Sequence, residues 1–124
     1  MTVSLPLILV SHRRYREHDT GGGIHPEVAE RLDGILHRFE ERRKAHEGRY
    51  LVAKNAERRW LLQVHDENYL LRFEEAALSG KSWLAHPDNR MSFATYDVAI
   101  LAAGAGLTGI DFLESGAGGV GWPT

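Results

Sequence analysis

"GGGIHPEVAERLDGI", residues 21–35, decides how this chain folds. A glycine run leads into a histidine, a proline and a glutamate, and a helical pattern of apolar residues starts at once. Pro26 suits the first turn of a helix, where its missing N–H leaves no hydrogen bond unmade. Val28, Leu32, Ile35, Leu36 and Phe39 recur at helical spacing, while Glu30, Arg38, Glu41 and Arg42 fall on the other side. The spacing predicts an amphipathic helix from Pro26 that stops near Gly48.

Upstream, residues 5–10 form a short, almost continuous apolar run that includes Ile8 and Val10. Such a run suits a strand covered on both faces, as in a parallel sheet. Residues 11–23, rich in charge, histidine and glycine, read as a long loop. Loops at the C-terminal ends of parallel strands are where α/β proteins place ligands. Downstream, "YLVAKN" (50–55) reads as a short extended segment and "AERRWLLQVH" (56–65) as a short helix. "DENYLLRFEEAALSG" (66–80) reads as another helix, capped by Asp66 and stopped at Gly80. "KSWLAHPDNRM" (81–91) has no helical period and is expected to be a loop. Ser92 is a candidate cap for a final helix over residues 93–113, apolar around most of its girth and therefore expected to be buried.

The 124 residues suit one domain, 1–124, with no linker or repeat. Hydrophobic residues at 43% supply a core. The net charge of -2 argues against nucleic acid as a partner, because a phosphate-binding surface needs concentrated positive charge. Arg42-Arg43-Lys44 and Arg58-Arg59 sit among glutamates and read as solvated helix faces. The absence of cysteine excludes disulfides, thiolate zinc sites and a cysteine nucleophile. "SLPLILVSH" (4–12) is too short to span a bilayer and lacks a basic segment before it, so neither membrane nor export is expected. The expected location is the cytoplasm.

Seven histidines raise the question of a metal. His12, His18 and His25 match no compact ligand spacing. Asp33 with His37, and His37 with Glu41, fall on the polar helix face, where surface pairing explains them. His65 reads as a packing or capping residue. From the residues alone the chain is an α/β domain with a polar loop, and its reaction type stays open.

"HPEVAERLDGI" resembles the N-terminal signature of the histone deacetylase superfamily, which includes acetoin-utilisation proteins and acetylpolyamine amidohydrolases. "SLPLILVSH", "GGGIHPE" and "RLDGI" follow in the family's order, with Ala29 where a second proline is common. "VHDENYL" (64–70) resembles the family's Val-His-x-x-Tyr segment. "PDNRMSFATYDVAILAAGAGL" (87–107) resembles a stretch where a loop aspartate precedes a tyrosine and an Ala-Gly-rich helix. The resemblance implies a truncated arginase/deacetylase-like α/β fold, mostly helical, with two or three short parallel-type strands. It implies that Asp88 grips the substrate backbone at the pocket rim and that Arg31 lines an internal channel. His25, Pro26 and Glu27 would shape one pocket wall. Residue types alone also allow a turn role for Asp88, a surface role for Arg31 and a capping role for His25.

The family's tandem histidine and Asp-x-His zinc ligands have no counterpart: the chain contains neither His-His nor Asp-x-His, and "AGGVGWPT" (117–124) stands where Gly-His-His is expected. A catalytic zinc needs three protein ligands and an open position. The expectation is therefore the N-terminal third of a deacetylase-like domain, with no cofactor of its own and no hydrolysis as an isolated chain. It would act as a small binding or assembly module. The alternative is a fragment of a zinc-dependent deacetylase completed by another polypeptide. The apolar final helix, or the open edge of the first strand, points to a homo-oligomer. An acetylated amine is the expected, weak ligand.

Overall fold

The computed structural model describes residues 6–22 and 25–115. The start of the expected first strand at Leu5 lies outside them, as do Gly23 in the loop and the stretch 117–124. Strand β1 (Ile8–Ser11) and strand β2 (Arg49–Val52) pair in parallel, with Ile8 opposite Arg49 and Ser11 opposite Val52. Parallel neighbours need a crossover, and here helix α1 (Glu30–Arg42) supplies it. Residues 8–11 thus form the expected parallel strand, shifted toward the polar end of the apolar run.

Helix α1 starts later than Pro26. Residues 25–28 are committed to the preceding loop: the Glu27 N–H donates to His25 Nδ1 (3.1 Å), and the Glu27 carbonyl accepts from the Thr20 hydroxyl (2.7 Å). Pro26 lies in that bend, and no side chain caps the helix. Phe39 is buried and meets Tyr50 edge-on at 4.8 Å, whereas Ile35 is 55% exposed. The helix ends at Arg42, short of Gly48. Gly48 is still required, because a Cβ there would lie 2.9 Å from the Phe39 ring and 3.3 Å from the Arg43 backbone.

After the short helix α2 (Arg58–Leu61), helix α3 (Glu67–Leu78) follows its expected signals closely. The Asp66 carboxylate accepts from the Asn68 N–H at 3.0 Å, a cap worth about 1 kcal/mol. Gly80 takes the left-handed conformation (φ 79°) that ends the helix.

Residues 81–91 are not a loop. They form an antiparallel hairpin of strand β3 (Trp83–Leu84) and strand β4 (His86–Arg90), turned at Ala85 with φ 61°. The ladder is short and irregular, with Pro87 inside it, so no two-residue alternation could announce it.

Helix α4 (Thr95–Glu114) is the spine of the fold and packs on β1, β2, α3 and the 3-10 turn at Arg13–Glu17. Lys54 N–H donates to the Thr108 hydroxyl (3.1 Å), and the Tyr15 hydroxyl donates to the Leu101 carbonyl (2.8 Å). Ser92 does not cap this helix. Its hydroxyl donates to the Glu17 carbonyl and accepts from the Asp19 N–H, tying the first loop to the start of α4. One face of α4 is covered, with Tyr96, Val98, Leu101 and Gly104 buried, but Ile110 is 54% exposed. Its length and hydropathy also suit a membrane span, a property shared by core helices. The core gathers where α3, the hairpin and α4 meet, around Ala76, Ala77, Met91 and Tyr96 with Phe73, Leu84 and Ile100. Helices cover about half the described residues, and the parallel sheet has two strands. That is compatible with the α/β class.

Burial raises the Tyr15 pKa above its ordinary value of 10.0. The folded state therefore keeps the phenol proton to higher pH than the unfolded chain does. The resulting stability is complete below the ordinary tyrosine range and is lost as pH rises through the folded value. Tyr50 shifts the same way, through burial and then its bond to Glu40. We expect stability to fall between mildly and strongly alkaline pH, and Tyr15→Phe to flatten that slope while leaving the Tyr50 contribution. Urea midpoints measured across this range check it.

Candidate functional site

The first loop closes against the hairpin and the start of α4, bringing together three of the residues singled out in the sequence. Asp88 is pinned through its backbone by two imidazoles. Its N–H donates to His86 Nδ1 (3.1 Å), and its carbonyl lies 3.2 Å from His25 Nε2. Since His25 Nδ1 accepts from Glu27 N–H, the proton of a neutral His25 sits on Nε2 and is donated to Asp88. The Asp88 carboxylate also approaches His25 Nε2 at 3.5 Å, and its side chain is 82% exposed. A carboxylate held this way presents free acceptor lone pairs to a donor outside the chain.

Glu27 anchors the same loop. Its carboxylate accepts from His18 Nε2 at 3.0 Å, and His18 Nδ1 lies 2.9 Å from the Thr95 hydroxyl at the start of α4. Thr95 Oγ1 in turn accepts from the Ser92 N–H at 2.7 Å. Arg90 Nε donates to the Thr20 carbonyl at 3.2 Å. Gly21 lies beneath that guanidinium, at φ 90°, where a Cβ would come within 2.8 Å of Arg90 Nη2. Thr20, Arg90 and Thr95, which sequence reasoning does not single out, and His18, which it names only in weighing a metal site, thus fix the shape of this loop. Loop histidines and threonines carry no spacing signal, because they join segments far apart in sequence: His18 and Thr95 are 77 residues apart, and Thr20 and Arg90 are 70 apart.

The structure does not bring Arg31 to this cluster. It lies on the exposed side of α1, and Pro26 is exposed in the bend beside His25. A groove of about 840 Å³ runs between the end of α3 and the hairpin and is lined by Arg72, Glu75, Lys81 and Trp83 among others, without Asp88. Among the described residues no group of three His, Asp or Glu side chains is placed to hold a metal ion. The donor sets present do not fit a catalytic zinc, which needs three such ligands around an open position.

The sequence model of the histone deacetylase domain matches residues 25–121, from the His-Pro-Glu segment through α4. The chain belongs to the histone deacetylase superfamily. No curated protein matches it in sequence.

Proposed function

We propose that this chain acts in the cytoplasm as a deacetylase-like binding and assembly module that does not hydrolyse acetyl amides on its own. Asp88 is the observation that carries the reading. Its exposed carboxylate, with the Asp88 backbone fixed by His25 and His86 and His25 Nε2 at 3.5 Å from the carboxylate itself, is set to accept a hydrogen bond from the amide N–H of an acetylated amine. His25, Pro26 and Glu27 form the wall beside it. One wall encloses little of a ligand, so the affinity is about millimolar. Hydrolysis would further need a metal-bound water, a base and an oxyanion donor. Residues 1–124 contain neither the tandem histidine nor the Asp-x-His element that supplies them in the family. An assembly role is supported by α4, where Ala102, Ala103, Gly106, Ile110 and Leu113 form one exposed apolar face. The open strand edge offers a second route.

The test is an acetate-release assay on an acetyl-lysine peptide with excess zinc, paired with a binding titration of the same peptide. The expected result is no zinc-dependent release, with weak binding that Asp88→Ala abolishes. Zinc-dependent turnover that disappears in Asp88→Ala would mean the chain holds a working active site. Turnover that appears only when a second polypeptide carrying His-His and Asp-x-His is added would favour the completed-hydrolase alternative.

A further inference from the structure

Helices α1 and α3 each leave one helical face uncovered, and the two faces are opposite in charge. On α1, Arg31, Arg38 and Arg42 line up beside Ile35, at the seven- and eleven-residue intervals that return to one side of a helix. Of the acidic residues of α1, Glu30, Asp33 and Glu40 project elsewhere around the helix, while Glu41 reaches Arg38. Among the described residues the Arg31 and Arg42 guanidinium groups have no ion-pair partner, and Arg38 is held only by Glu41 at 3.1 Å. Beside this stripe lies an apolar groove of about 440 Å³, whose lining includes Leu7, Ile35, Phe39 and His46. Leu7 is 50% exposed there.

On α3 the uncovered face carries Glu67, Leu71, Glu74, Glu75 and Leu78 and no cation, while Leu70, Ala76 and Ala77 point into the core. Leu71 is 48% and Leu78 63% exposed. Glu67, Glu74 and Glu75 have no ion-pair partner among the described residues. Glu67 and Glu74 stand seven residues apart, as do Arg31 and Arg38, so both charged rows repeat at about 10.5 Å.

We propose that α3 of one copy of this chain docks on the α1 groove of a second copy. The leucines fill the gap between Leu7, Ile35 and Phe39, and the carboxylates of α3 meet the arginines of α1. A second copy is the occupant because the chain carries both halves of the match, in sign, spacing and apolar content. The near-neutral net charge of -2 adds little general repulsion to oppose it. The contact is heterologous: each pairing leaves a free α1 and a free α3, which either close a ring or extend a chain. It does not depend on a ligand at Asp88.

The experiment is sedimentation velocity across the micromolar range, at low salt and in about 0.5 M NaCl, where exposed charges more than a few ångströms apart are screened. The wild-type chain is expected to associate, with its dissociation constant raised about tenfold or more by the salt. Two variants, Arg31→Glu with Arg42→Glu and Glu67→Lys with Glu74→Lys, should each lose the salt-sensitive association, because each sets like charges face to face. Arg31, Arg42 and Glu67 are on exposed helix surface and Glu74 is half-buried, so circular dichroism of each variant verifies the fold. Mixed together, the two variants should associate again, since each supplies the face the other needs. A monomeric wild type overturns the proposal. So does salt-sensitive association that survives both reversals, since a contact through the apolar α4 face or the strand edge would not weaken with salt. Failure of the mixture to associate overturns it as well.

Discussion

Replacing Gly104 by alanine is expected to destabilise the fold by roughly 3 kcal/mol, whereas alanine at Gly106, two residues on, should stabilise it by about 0.5–1 kcal/mol. Both glycines are inside α4, where helix propensity alone favours alanine at each. Their surroundings differ. A Cβ at Gly104 would be driven into the Lys54 carbonyl oxygen and would lie 2.9 Å from the Ala56 nitrogen. These are backbone atoms, held by the bonds from Lys54 to Thr108 and from Ala56 to the Ile100 carbonyl. They cannot rotate away as a side chain would. At Gly106 a Cβ meets nothing within 4 Å. Urea unfolding of the two variants reads the difference directly. If alanine raised stability at both positions, α4 would not cross the 54–56 segment at close range.

Particular elements explain what the sequence made legible. Helix α3 was readable at both ends because its signals are local: a carboxylate two residues from the N–H it caps, and a glycine at a left-handed position. Strand β1 was readable because a parallel strand is apolar without interruption. The start of α1 was misjudged because Pro26 is equally compatible with a helix turn and a bend. What decided between them was the Thr20 hydroxyl on the Glu27 carbonyl, a contact within a loop of no fixed pattern. The hairpin was missed because Leu84 and His86 are separated by one residue, and a five-residue strand containing Pro87 has no alternation to detect. At the candidate site, His25, Glu27 and Asp88 were singled out through the family resemblance. The geometry joins the first and last of these across 63 residues and leaves Arg31 apart. His18 and Thr95 were not legible, since their bond spans 77 residues between types common in any loop.

Tyr96→Ala should cost about 3–5 kcal/mol, a large share of the total for a domain of this size, while Tyr96→Phe should change stability by well under that. Tyr96 is 6% exposed and stands where α3, the hairpin and α4 converge, packed with Ala76, Ala77 and Met91. Its ring takes Phe73 edge-on at 5.1 Å with an interplanar angle of 87°, the favourable geometry for two aromatic quadrupoles. Truncation removes that ring and leaves a void bounded by two alanines, which are too small to close it. Phenylalanine keeps the ring, and so keeps both the packing and the edge contact. The consequence extends to Asp88. Strand β4 is held to α4 through Met91 in this cluster, and its partner strand β3 through Leu84, so a loosened core frees the hairpin that presents the carboxylate. Amide hydrogen exchange of residues 83–91 should therefore speed up in Tyr96→Ala and stay near wild type in Tyr96→Phe. Equal exchange in both variants would show that the hairpin is held from the loop side, by His25 and Arg90, rather than by the core.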